Sequence, residues 1–117
     1  TSFRMPGLRF GVVLGTHRLV QRIGTDRARD ILSNSRSFDA DTALADGFLT
    51  RIATRGDWPA VIADAKTAAD MLTPAAAAAL HRRTIKDSRA EDMAELARSV
   101  STPGLKERIR RYRESGK

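Results

Sequence analysis

Phe3-Arg4-Met5-Pro6-Gly7-Leu8-Arg9-Phe10-Gly11 runs through Val12-Val13-Leu14 into Gly15-Thr16-His17-Arg18-Leu19-Val20-Gln21-Arg22-Ile23-Gly24. Pro6-Gly7 is a turn signal. Residues 8–13 are apolar apart from Arg9 and Gly11, which suits a short strand or an extended loop. Gly15 supplies a bend, and Thr16 reads as an N-cap. Leu19, Val20 and Ile23 then share one face of a helix that Gly24 closes.

The same signals recur downstream. Thr25 opens a second helix with Ala28, Ile31 and Leu32 inward, and residues 34–37 break it. Asp39 caps a short third helix carrying Ala43 and Leu44, and Gly47 stops it. Residues 48–52 alternate and predict a strand. A long amphipathic helix follows, with Val61, Ile62, Ala65, Ala68, Ala69 and Leu72 as a stripe expected to be buried. Thr73-Pro74 is a cap with Pro at the first helical position. It opens an alanine-rich helix running to about Ile85. Ser88-Arg89-Ala90-Glu91 has the capping-box pattern, ahead of a stripe of Met93, Leu96, Ala97 and Val100. Thr102-Pro103 predicts the start of a last helix with Leu105, Ile109 and Tyr112 aligned. The fold class is mostly α with one or two short strands. Two isolated strands do not make a stable sheet, so pairing partners are expected outside this chain.

The chain has 117 residues, one ordinary domain by length. At 41% hydrophobic and 30% charged it is neither disordered nor fibrous in composition. It has no cysteine, which excludes a disulfide scaffold, a thiolate metal site and a cysteine nucleophile. No apolar run approaches the ~20 residues of a membrane span, and no signal peptide is visible. The chain does not begin with Met, which fits processing or truncation, and a cytoplasmic location is the default expectation. The net charge of +7 is unevenly spread: both ends are basic and residues 37–80 are acidic. Arg outnumbers Lys 17 to 4. Basic ends predict attraction to polyanions such as nucleic acid, acidic lipid or a phosphorylated ligand.

The order of these elements resembles the C-terminal half of the crotonase superfamily, the enoyl-CoA hydratases and isomerases. The Phe3–Gly24 stretch is similar to that family's F-x-x-P-E segment, glycine loop, T-x-R-L helix and glycine stop. Ala28 to Leu32, followed by Phe38-Asp39-Ala40-Asp41-Thr42-Ala43-Leu44-Ala45-Asp46-Gly47-Phe48-Leu49-Thr50-Arg51-Ile52, is similar to A-x-E-A-x-x-x-G-L-V-x-x-V. Ala97-Arg98-Ser99-Val100 with Pro103-Gly104-Leu105-Lys106-Glu107 is similar to the closing K-E-G helix. The resemblance covers nearly the whole chain. It implies the C-terminal part of a crotonase-like α/β spiral, with residues 1–56 ending the spiral core and residues 57–117 forming a helical trimerisation region. The family's other half supplies ββα turns and the two backbone N–H groups that hold a thioester oxyanion.

The resemblance also implies chemistry. One family glutamate follows the Pro of the first stretch, and here that position is Gly7. A glycine neither donates a proton nor orients water, so hydration of the two-glutamate kind is expected to be weak. The glycine loop is about three residues shorter than the family's, leaving Gly15. His17, flanking that loop, is the candidate base, because imidazole titrates near neutrality. Its bland alternative is a solvent-facing helix position. His81 reads as a surface helix residue. The two histidines are far apart and lack carboxylates at ligand spacing, so no metal site is expected. Asp39, Asp41 and Asp46 read as capping or solvated carboxylates, and Ser99 and Ser101 as helix-end residues. Substrate contacts are assigned to Gly7, Phe10, Gly15, Tyr112 and Arg113. In the family an aromatic and a lysine of the last helix approach the adenine and phosphates of coenzyme A. Tyr112 aligns with the aromatic. Ser115 takes the lysine position, so that contact is either absent or moved to Arg113 or Lys117.

The expected partners are an acyl-CoA substrate and further copies of the chain in a homotrimer or dimer of trimers. No membrane is expected and no separate cofactor, coenzyme A being part of the substrate. Two other classes stand beside this one: a non-catalytic crotonase relative, and a small basic helical module that binds nucleic acid. The second has the +7 charge behind it. Against it stand the 5% aromatic content, sparse for base stacking, and the absence of a recognition motif.

Overall fold

The computed structural model describes residues 1–116. Among them are two two-residue strands, β1 (Ser2–Phe3) and β2 (Phe38–Asp39), and seven α-helices. These are α1 (Thr16–Ile23), α2 (Thr25–Asn34), α3 (Ala40–Ala45), α4 (Trp58–Asp70), α5 (Pro74–Thr84), α6 (Arg89–Ser101) and α7 (Leu105–Glu114). The chain divides into two compact units. One holds Thr1–Thr50 with the residues from Ser88 onward, the other Arg51–Asp87.

The core of the first unit is small and apolar. Leu19 and Ile23 of α1 meet Ala28, Ile31 and Leu32 of α2, with Phe38 and Ala43 beside them. Gly24 lies between the two helices at φ +84° and serves as the end of one and the start of the next. β1 and β2 pair antiparallel, Phe3 opposite Phe38. Phe3, Phe38 and Phe48 then form a three-ring cluster with centroids 5.2–5.5 Å apart, a spacing that favours offset and edge contacts. Asp39 caps α3 by accepting the Thr42 N–H at 2.8 Å.

Several expectations are corrected. Residues 8–13 are not a strand: Gly7–Phe10 is a 3₁₀ turn, closed by the Val12 N–H on the Gly7 carbonyl at 2.9 Å. Residues 48–52 are not a strand either. Their backbone groups are engaged otherwise, Leu49 N–H by the Ala43 carbonyl and the Phe48 carbonyl by Arg22. Thr16 is not the cap of α1. Gly15, at φ +71°, precedes the helix, and Thr16 is its first residue. Ser88 stands at the N-cap of α6 but its hydroxyl accepts no helix N–H, so there is no capping box; it donates to Asp92 instead. The last helix opens at Leu105 after Gly104, not at Thr102-Pro103. Thr102 instead donates to the Arg98 carbonyl at the end of α6.

In the second unit, Thr73 caps α5 as expected, accepting the Ala76 N–H at 3.1 Å. The Val61–Leu72 stripe of α4 is not buried: Ile62 is 67% exposed and Leu72 is also exposed. The reason is size. Arg51–Asp87 is shorter than the roughly 40 residues at which a segment begins to sustain a core unaided.

Ile31 is the largest fully buried side chain. Its truncation to alanine leaves a cavity between α1 and α2, and Ile31→Ala is expected to lower the unfolding free energy by about 2–5 kcal/mol in a urea titration. The Asp39 carboxyl is held below its ordinary value, chiefly by the Thr42 N–H and then by the Thr42 hydroxyl. A lowered folded value stabilises above the ordinary carboxylate range and is lost as pH falls through it. Asp39→Asn should therefore flatten the acid limb of a thermal-stability profile while leaving Thr42 capped.

Candidate functional site

Within the first unit a cleft of about 660 Å³ lies between the start of α1 and the face of α6. Val13, Gly15, Thr16, His17 and Val20 form one wall; Ala90, Asp92, Ala94 and Arg98 are among the residues of the other. Helix α6 is tied to the loop before α1 by Ser99, whose hydroxyl accepts the Val13 N–H at 3.0 Å and donates to the Leu96 carbonyl at 2.8 Å.

His17 Nδ1 lies 3.3 Å from Asp92 Oδ1, the long end of a hydrogen bond. The second Asp92 oxygen accepts the Ser88 hydroxyl at 2.8 Å. Ser88 is buried, while the His17 and Asp92 side chains are 35% and 32% exposed. A carboxylate only accepts, so Nδ1 is the donor and Nε2 the remaining basic nitrogen. This is an imidazole oriented by a carboxylate that is itself oriented by a buried hydroxyl. Next to it, Thr16 Oγ1 is buried without a hydrogen-bond partner.

The Gly7 turn makes the second feature. A Cβ built on Gly7 would lie 2.8 Å from the Val12 carbonyl oxygen. That contact is with backbone, so no side chain fits there unless the turn opens. Arg108 of α7 holds the end of this turn. Its Nε donates to the Phe10 carbonyl at 2.8 Å and one terminal nitrogen to the Pro103 carbonyl at 2.6 Å. Gly11, at φ +78°, lets Arg108 approach, since a Cβ there would sit 3.2 Å from Nε. The Phe10 ring packs on Tyr112 at 5.3 Å, and the Arg4 guanidinium stands 5.9 Å from the centre of the Tyr112 ring.

The residues singled out from sequence thus fall into three places. Gly15 and His17 share the cleft. Gly7 and Phe10 share the turn, and Phe10 touches Tyr112. Arg113 lies elsewhere on α7, in a shallow groove of about 530 Å³ with Lys106, Ile109, Arg110 and Glu114. Arg110 there is paired with Glu107 at 2.6 Å. Lys117 falls outside the described residues. Asp46 pairs with Arg27 at 3.2 Å, and Ser101 bonds the Ala97 carbonyl of its own helix. His81 sits on the exposed face of α5. Sequence reading missed Asp92, Ser88 and Arg108 as site residues. His17 and Asp92 are 75 positions apart and Phe10 and Arg108 are 98 apart, and no local pattern marks either pair. No group of three or more His, Asp or Glu side chains is placed to hold a metal among the described residues, and none of their helices is long and apolar enough to cross a membrane.

No protein-family model and no curated protein matches this chain. It is similar to a crystal structure from Bordetella parapertussis provisionally described as an enoyl-CoA hydratase/isomerase. The two are 50% identical and superpose with a TM-score of 0.89, over 95% of this chain and 46% of that one. The chain therefore spans about half the length of the structure it matches. The resemblance to the C-terminal half of the crotonase superfamily holds, and so does the fold class: a mostly helical part of a crotonase-like fold.

The Gly7 contact gives a direct test. Gly7→Ala forces a methyl against the Val12 carbonyl, and overpacking of this kind typically costs about 1–3 kcal/mol. Thermal unfolding should show that loss, with amide exchange at Val12 accelerated relative to wild type. Unchanged stability and exchange would mean that the turn relaxes freely.

Proposed function

We propose that the protein carrying this chain binds a CoA thioester and stabilises its enolate in the crotonase manner, without the acid/base glutamate at the Gly7 position. The observation that carries this reading is the 50% identity to an enoyl-CoA hydratase/isomerase-like structure across nearly all of this chain. In that chemistry, preorganised N–H groups facing the developing oxyanion are usually the largest electrostatic contribution. The family draws them from its other half. This chain would contribute the substrate-side surface: the Gly7–Phe10 turn, Gly15, and Tyr112 with Arg113 for the adenine and phosphates. No separate cofactor is needed.

The domain and assembly readings are part of the same proposal. Residues 1–56 close the spiral core and residues 57–117 mediate a homotrimer or a dimer of trimers. Val100 is exposed and Leu96 and Leu105 are half-buried, and this apolar surface of α6 and α7 is where we place the subunit contact. Sedimentation at micromolar concentration tests it, and a monomer would count against it. A non-catalytic crotonase relative is the second reading. The observation favouring it is the closed Gly7 position, which leaves no room for the usual carboxylate.

Loss of general acid/base help is typically worth ~10²–10⁴ in rate. The complete gene product should bind a short acyl-CoA by isothermal titration yet hydrate crotonyl-CoA that much more slowly than ordinary hydratases. Turnover within about tenfold of theirs would overturn the reading of Gly7 as a lost acid/base position. Tight duplex-DNA binding with a steep salt slope, and none of acyl-CoA, would favour the nucleic-acid module instead.

A further inference from the structure

We propose that His17, held by Asp92, is the proton-transfer group of this protein, acting at the carbon beside a thioester carbonyl. The inference rests on the acyl-CoA reading above and adds the residue that does the chemistry. Three observations carry it. The position where the family keeps a carboxylate has no room for a side chain unless the turn opens, because its Cβ would meet the Val12 carbonyl at 2.8 Å. A replacement must therefore come from elsewhere. His17 stands two residues beyond Gly15, in the same cleft as the loop that the resemblance assigns to substrate. Its Nδ1 is engaged by Asp92 at 3.3 Å and Asp92 is fixed by the Ser88 hydroxyl at 2.8 Å, so the ring has an orienting partner and Nε2 is its base.

The surroundings suit that role. Val13, Val20, Ala90 and Ala94 give the cleft apolar walls, which receive a short acyl chain and thin out competing water. Its other ionisable groups are Glu91, Glu95 and Arg98, and Arg98 is paired with Glu95 at 2.7 Å. Ser88 donates to Asp92 and not to His17, so the trio is a base with two orienting groups, not an activated nucleophile.

The step balances without a co-reactant. The α C–H bond breaks, its proton bonds to Nε2, and the electron pair moves onto the thioester oxygen as an enolate. The ring becomes an imidazolium whose Nδ1–H still faces Asp92. Returning a proton from Nε2 to the same carbon restores the thioester, and in heavy water it leaves deuterium behind. One base is enough for this exchange. Hydration also needs an activated water, so weak hydration and active exchange are compatible.

The experiment uses the complete gene product with butyryl-CoA in deuterium oxide, following loss of α-protium by NMR. Wild type should exchange. His17→Gln should slow exchange by ~10²–10⁴ while binding of butyryl-CoA by calorimetry stays within about threefold. His17→Ala should regain exchange on addition of free imidazole, a response that a merely structural histidine would not give. Asp92→Asn should slow exchange less than His17→Gln, and His81→Gln should leave it unchanged. Circular dichroism and butyryl-CoA binding distinguish a folded variant from one that has failed to fold, and His17→Gln, close in size, is the variant that decides. Wild type that binds butyryl-CoA without exchanging it, or exchange indifferent to His17→Gln, would overturn this proposal and leave the acyl-CoA reading standing. Wild type that binds no acyl-CoA would sink both.

Discussion

Each backbone N–H and carbonyl is a strong hydrogen-bonding group that pairs within the chain where geometry allows, and that constraint shapes the partly exposed segment from Pro6 to Gly15. Its residues are apolar enough for a strand, yet no strand lies beside them among the described residues. The chain satisfies itself by curling: Arg9 N–H on the Pro6 carbonyl, Gly11 N–H on Leu8, Val12 N–H on Gly7. Curling brings the Val12 carbonyl over Gly7 and closes that position to side chains. It also presents the Phe10 carbonyl to Arg108, so an arginine of the last helix becomes part of the turn. The exclusion of a side chain at Gly7 and the docking of α7 thus follow from one set of backbone hydrogen bonds.

The helices were legible because each carries its own instructions. Asp39 and Thr73 cap where their side chains reach the N–H three residues on, and Gly24 stops α1 by a backbone conformation few other residues tolerate. Ala28, Ile31 and Leu32 are buried because their spacing puts them on one face. The failures share a cause. Residues 48–52 have the alternation of a strand, but a strand is made by its neighbour, and here Ala43 and Arg22 take the backbone groups first. Ser88 and Thr102 have the chemistry of caps, but the Ser88 hydroxyl accepts no N–H of α6, and α7 begins only at Leu105, beyond the reach of Thr102. Ser88 gives its proton to Asp92 and Thr102 to the preceding helix.

The site was legible only in part, for a related reason. Gly7, Gly15 and His17 stand out because they occupy a recognisable motif. Asp92 does not, since it is one of several acids near the start of α6. Only the packing of α6 beside α1 gives it a distinct role. The sequence pattern marks Phe10 and Tyr112 as two separate substrate contacts, yet the structure packs their rings together. An aromatic in contact with Phe10 and approached by the Arg4 guanidinium has less free surface to offer a ligand ring than the sequence alone implied.

That pairing links the turn to α7 twice, through ring contact and through the Arg108 guanidinium. Hydrogen bonds from a charged donor to carbonyls are typically worth about 1.5–3 kcal/mol, more than an exposed ion pair such as Arg98–Glu95, for which ~0–1 kcal/mol is usual. Arg108 is therefore the arginine of α7 whose role is set by the carbonyls it holds. Lysine would not replace it, because a single ammonium cannot span the Phe10 and Pro103 carbonyls in the fixed planar geometry of a guanidinium. Gly11 belongs to the same arrangement: a Cβ there would sit 3.2 Å from Arg108 Nε and push the guanidinium away from its present place. The arginine-rich character of the C-terminal helix thus has two physical meanings. One residue is internal scaffolding for the turn, and the others face outward, where charge decides what they meet.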